Sequence, residues 1–159
     1  MGAIQDVLDK YGDDRVRMIQ ANLASTGTDA SGETSRSVKR ESGDNRVTVS
    51  GKAFIYVVET GRGPTKKGNQ GGPTLQSQIL KWIQTGKPGI TEKIESASWG
   101  ISKFIHKHGT ELFRTGGRTD IITPVVNDER ALDQLTKDIA NISFKKTVKV
   151  IEDGIKTNT

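Results

Sequence analysis

The chain contains no cysteine, which excludes a disulfide framework, thiolate metal sites and a cysteine nucleophile. Histidine is nearly as scarce, limited to His106 and His108. Two positions apart on a segment of helical periodicity, they point in different directions, unlike the i, i+4 pair of a zinc helix. Beside Lys107 at a helix end they read as basic side chains suited to the helix dipole, and no metal is expected. Long apolar runs are missing as well. The first residues, Met1-Gly2-Ala3-Ile4-Gln5-Asp6, lack the basic flank and apolar run of a secretory signal, and no later stretch approaches a membrane span. A soluble chain with no membrane partner is expected.

Residue types that do chemistry are present but not gathered. Glu92 and Glu95, Asp128 and Glu129, and Glu152 and Asp153 fall mostly near expected helix ends, where capping, the dipole and solubility account for them. No serine sits in a G-x-S-x-G elbow, and two histidines on one helical turn leave no obvious partner for a triad. The run Gly61-Arg62-Gly63-Pro64-Thr65-Lys66-Lys67-Gly68 has the composition of a phosphate-cradling loop. It lacks the G-x-x-x-x-G-K-[ST] spacing, and a glycine follows its lysines. The residues point to a non-enzymatic protein without a cofactor.

Apolar residues make up only 32% of the 159, with 18 glycines and 27% charged residues. That is lean for a compact globule but too rich for wholesale disorder, so one domain spanning 1–159 with some loosely held segments is expected. The net charge of +5 permits contact with nucleic acid or an acidic protein without demanding it.

Ile4, Val7, Leu8, Tyr11, Met18, Ile19 and Leu23 recur at helical spacing, and a small polar loop, Ala24 to Gly32, follows them. Thr34–Glu41 and Arg46–Ser50 alternate around valines, with a turn at Gly43-Asp44-Asn45, and read as a hairpin. Ala53–Val58 is apolar at consecutive positions, as in a central strand covered on both faces. Leu75, Ile79, Leu80, Trp82 and Ile83 mark a helix ending at Gly86. Beyond the Pro88-Gly89 turn, Thr91 is placed to cap a second helix. Its expected inner face carries Ile94, Ala97, Ile101, Phe104, Ile105 and His108, and it ends at Gly109. These two form a helical hairpin.

Leu112 to Asp120 reads as irregular, and Ile121–Val126 as an edge strand because of Pro124. A last helix starts at Asn127-Asp128 with the stripe Leu132, Leu135, Ile139, Ile142. The rhythm shifts near Asn141–Ser143, where a break is expected, and continues through Phe144, Val148, Ile151 and Ile155. A strand at Val148-Lys149-Val150 is the minor alternative, and residues 156–159 read as a loose tail. The fold class is therefore α+β: a small, mainly antiparallel sheet flanked by an N-terminal helix, a central helical hairpin and a C-terminal helix. Phe54, Tyr56, Trp82, Trp99 and Phe104 all fall on apolar faces and read as core, which leaves no aromatic row for stacking bases.

Gly61–Pro73 holds five glycines, two prolines and three positive charges, with no apolar anchor. A loop of that length is usually functional or disordered. Arg62, Lys66 and Lys67 are its candidate contacts, to an acidic protein surface or to DNA phosphates. A solvated loop without a partner is the ordinary alternative, and a small basic nucleic-acid-binding protein is the rival function.

The order of these features resembles the tail-completion, or neck, proteins of tailed bacteriophages, over about residues 5 to 140. The resemblance is carried by the strand-like run Phe54-Ile55-Tyr56-Val57-Val58 leading into Glu59-Thr60-Gly61-Arg62-Gly63, by Ile79-Leu80-Lys81-Trp82-Ile83, and by Trp99 to Thr110, which ends Ile105-His106-Lys107-His108-Gly109-Thr110. It departs at Glu111–Thr123, which is longer and richer in glycine than the compact aromatic-proline segment of that family. The resemblance implies a homo-oligomeric ring in the virion, made in the host cytoplasm and set between the portal or its adaptor and the tail tube, with DNA passing through its lumen.

Overall fold

The computed structural model describes residues 2–28, 32–52, 55–65, 74–86 and 88–156. The chain is α+β and mostly helical. α1 (Ala3–Ser25) is followed by a short α2 (Glu33–Ser37), then by β1 (Lys39–Gly43) and β2 (Arg46–Ser50). The strands pair antiparallel, Lys39 opposite Ser50 and Gly43 opposite Arg46. Asn45 takes the left-handed conformation in the connecting turn (φ 53°), one that asparagine tolerates better than most residues. Both strands lie across α1. The contact is close because Gly12 of α1 has no side chain: a Cβ there would come within 2.4 Å of Val47 Cγ2. Arg40 crosses at the same place and pairs with Asp9 (2.6 Å) and Asp13 (2.7 Å) of α1.

Over residues 55–58 the apolar run expected as a central strand is not a strand. Residues 53 and 54 lie outside the described residues, Ile55 and Tyr56 form a turn, and α3 (Val57–Thr60) is a single helical turn. Among the described residues of this run Ile55 and Val58 pack against the core, while Tyr56 is 66% exposed. Side chains three apart turn inward together on a helical turn, whereas a buried strand would hide consecutive residues. The segment expected as strand Thr34–Glu41 likewise divides into α2 and the start of β1. Val38 is its one apolar residue and the one that is buried.

α4 (Leu75–Gln84) and α5 (Ile94–His108) pack together as the expected helical hairpin. Thr74 caps α4 by accepting from the Ser77 N–H. Thr91 caps nothing, because α5 starts after Lys93, which sits in the left-handed region (φ 49°) without a side-chain cap. The inner face of α5 is built on small residues: Ser98 and Ser102 are buried, their hydroxyls donating to the carbonyls of Glu95 and Trp99. Gln76 donates across to Ser98 Oγ (2.9 Å). Phe104 and His108 are exposed instead, as are Trp82 and Trp99, which corrects their assignment to the core. Serine at the contact lets α4 approach closely and turns the aromatic edge outward.

α6 (Glu111–Arg114) and α7 (Thr123–Val126) are single turns within the stretches expected as irregular and as edge strand. Pro124 lies in the first turn of α7, where its missing N–H would have had no helical partner in any case. α8 (Glu129–Lys156) then runs unbroken for 28 residues through Asn141–Ser143, which excludes both the expected break and the strand at Val148–Val150. Of the expected loose tail, Lys156 is helical and the remainder lies outside the described residues.

The main core is small. Ile19 and Leu23 of α1, Val38, and Ile121, Ile122 and Val125 are buried together, with Val16, Val49, Ile55 and Val58 packed against them. Ile83, buried within the helical hairpin, stands apart from that cluster. Arg15 ties α1 to the start of α8 through Asp128 (2.9 Å), whose other oxygen accepts from the Ala131 N–H as a helix cap. The guanidinium and that cap hold the Asp128 carboxyl below its ordinary pKa.

Candidate functional site

The most constrained polar chemistry in the molecule surrounds Glu59, which is 7% exposed. Its Oε1 accepts from the backbone N–H groups of Ile121 (2.8 Å), Ile122 (2.5 Å) and Thr123 (3.0 Å), and its Oε2 accepts from the Thr123 hydroxyl (2.8 Å). The carboxylate therefore serves as the cap that α7 cannot supply for itself, since Ile122 occupies the N-cap position. Burial pushes the Glu59 carboxyl up. The opposing hydrogen bonds from Thr123, Ile122 and Ile121 outweigh it, so the pKa lies below its ordinary value. On the far side of the same turn, Asn22 donates to the Ile121 carbonyl (2.8 Å).

Immediately after Glu59 the chain crosses the end of α5 backbone to backbone. The Thr110 N–H donates to the Arg62 carbonyl (2.8 Å), and Thr110 Oγ1 accepts from the Arg62 N–H (3.0 Å) and the Phe113 N–H (3.3 Å). Thr65 N–H donates to the His106 carbonyl (3.0 Å), and its hydroxyl lies 2.5 Å from His106 Nδ1. The crossing depends on glycine. Gly61 (φ 70°, ψ 169°) and Gly109 (φ 77°, ψ 179°) occupy a region open essentially to glycine alone. A Cβ on Gly61 would stand 2.3 Å from the Phe113 nitrogen, and one on Gly109 would stand 2.8 Å from the Arg62 carbonyl oxygen. Gly117 (φ 83°) completes the junction, where the Arg118 N–H donates to the Glu59 carbonyl (2.8 Å).

Of the three residues picked out as loop contacts, Arg62 is placed by this crossing, and its guanidinium donates to Thr65 Oγ1 (3.2 Å). Lys66 and Lys67 lie outside the described residues. Of Gly61–Pro73, residues 61–65 carry no apolar side chain of their own, as the sequence shows, and are placed by main-chain hydrogen bonds; residues 66–73 lie outside the described residues. Glu59, Thr110 and Phe113 were not singled out as individual residues. The Glu-x-Gly-x-Gly spacing was the one signal for Glu59; its partners lie more than 60 positions away.

Phe113 lies against Gly63 and Gly109 of this junction, and further rings are exposed along α5. Trp99 is 57% exposed, Phe104 48% and Phe113 45%, and cations lie over two of the rings: Lys103 over Trp99 (5.3 Å) and Arg114 over Phe104 (5.1 Å). Exposed rings set among cations are suited to burial against another protein, where aromatic anchors carry much of the binding. Among the described residues no three histidine or acidic side chains are grouped to hold a metal ion, and no helix is long and apolar enough to cross a membrane. No family model, no curated protein and no solved structure matches this chain.

Proposed function

We propose that the chain is a structural virion protein: one subunit of a ring at the head-tail junction of a tailed bacteriophage, joining the portal or its adaptor to the tail. It works by assembly and not by catalysis. The observation that carries this reading is the meeting of two separate stretches that bear the family resemblance. Glu59–Gly63 and the end of Trp99–Thr110 form a single backbone crossing, with the exposed ring of Phe113 against it. A subunit that must hold a fixed angle between neighbours benefits from a junction made of main-chain hydrogen bonds and glycines, which has few alternative arrangements. Lys66 and Lys67, next in the sequence, are the candidate contacts to a neighbouring subunit or to the portal or tail side.

The test is to locate the chain in particles and to ask what its loss does. Tagged protein should be found at the neck, and particles assembled without it should accumulate as filled heads lacking tails. The charge reversal Lys66→Glu/Lys67→Glu should leave the helical circular dichroism spectrum unchanged while lowering the yield of complete particles at least tenfold. Complete particles at normal yield would remove the loop from the assembly contact. The rival reading, a small nucleic-acid-binding protein, draws on the +5 charge. Sub-micromolar binding of the isolated chain to duplex DNA, weakening steeply with salt, would favour it.

A further inference from the structure

α8 carries two apolar stripes on different faces. At about 100° per residue, Leu135, Ile139 and Ile142 fall on one side, and Phe144, Val148, Ile151 and Ile155 fall roughly opposite. The first stripe is half-buried where α8 packs on α1. Arg15 binds Asp128, so α8 starts beside the middle of α1. After Ile142 every residue of α8 but Val148 is exposed, so residues 143–156, about 21 Å of helix, project from the rest of the described structure. In that projection Phe144 is 69% exposed, Ile151 57% and Ile155 65%.

We propose that this projecting segment pairs, antiparallel, with the same segment of a second copy of the chain. The spacing 144, 148, 151, 155 alternates four and three, which is the seam of a two-stranded coiled coil. Laid antiparallel about a two-fold axis, Phe144 meets the partner's Ile155 and Val148 meets the partner's Ile151. Lys145 and Glu152 then flank one edge of the seam, and the symmetry sets Lys145 of each helix against Glu152 of the other. The opposite edge carries Thr147 and Gly154, small residues that let the helices approach. Laid parallel, Lys145 and Glu152 would instead face Ala140 and Thr147, with no ion pair formed. Charge complementarity therefore selects both the occupant and its direction.

An isologous contact of this kind closes after two copies and cannot propagate round a ring. It is thus separate from any ring contact and does not rest on the function proposed above.

Sedimentation of the full chain over a range of concentrations tests the pairing. A reversible dimer is expected, and Phe144→Asp/Ile151→Asp should raise its dissociation constant at least about tenfold without altering the circular dichroism spectrum. Lys145→Glu alone should weaken the dimer, and adding Glu152→Lys in the same chain should restore it. Because the chain has no native cysteine, Thr147→Cys and Gly154→Cys variants can be mixed under oxidation. A disulfide joining the two different variants is expected in preference to one joining two copies of Thr147→Cys. A monomer at every concentration, a dimer insensitive to the aspartates, failure of the charge swap to restore, or uptake of the helix by anionic vesicles in place of pairing would each overturn the proposal.

Discussion

Glu59→Ala is expected to lower folding stability by about 3 kcal/mol or more, since it strands the buried N–H groups of Ile121 and Ile122 together with that of Thr123. In a chain of this size that corresponds to a fall in Tm of roughly 10 °C. Glu59→Gln keeps one carbonyl oxygen for those donors and loses only the charge, so it should recover part of the difference. Urea denaturation followed by tryptophan fluorescence measures all three proteins.

The acid limb separates charge from shape. Glu59 has a lowered pKa in the folded state, so on acidification the unfolded chain takes up its proton first. Its contribution is fully present above the ordinary glutamate value of 4.5 and is lost as pH falls through the lower folded-state value. Asp9, Asp120 and Asp128, also lowered, add to the same limb in every variant. The difference between wild type and Glu59→Gln should therefore hold above 4.5 and shrink as pH falls from there through the lower folded-state value. A difference that did not depend on pH in that window would mean the carboxylate is not the charged cap described here.

The second large effect is expected at the backbone crossing. Gly61→Ala and Gly109→Ala each force a side chain into glycine-only dihedral space, at about 1–3 kcal/mol, and each also drives a Cβ into backbone atoms that cannot swing aside. Each variant should lose about 3 kcal/mol or more in denaturant titrations. Because both disrupt one junction, the double variant should lose clearly less than the sum. Additive losses would show that the two strands of the crossing are held independently. Gly86→Ala makes the comparison, since Gly86 has a positive φ (74°) but nothing within 4 Å of its Cβ position. It should carry the dihedral cost alone.

Much of the architecture was legible wherever a segment's fate is decided by its own neighbours. The helical spacing of Ile4–Leu23, the valine alternation around the Gly43–Asn45 turn and the apolar stripes of α4, α5 and α8 each point to the element that forms. The failures share a cause. Ile55–Val58 and Ile121–Val126 are short apolar runs, for which periodicity does not separate strand from helical turn. What decides between them is Glu59 reaching the N-terminus of α7 across more than 60 residues of chain. Nor could composition tell that the aromatics of α4 and α5 face outward, because that follows from the choice of serine at positions 98 and 102. The rhythm shift near Asn141 was visible, but its meaning was a change of face and not a break. In the candidate site, the Glu-x-Gly-x-Gly and Gly-Thr segments were noticed separately; only the fold brings them together.

The separation of Ile83 from the main core bears on how the molecule opens in time. Among the described residues, the buried side chains of α4 and α5 are one isoleucine and two serines, and main-chain hydrogen bonds tie the end of α5 to the rest at Arg62 and Thr110. Such a unit has its own opening equilibrium, at a lower free energy than global unfolding. Slow amide exchange should therefore sort into two tiers, with the amides around Ile83 and Ser102 exchanging well before those of Ile19 and Leu23. The helical hairpin could then swing or loosen while the α1 platform stays folded, a moving part beside a fixed one.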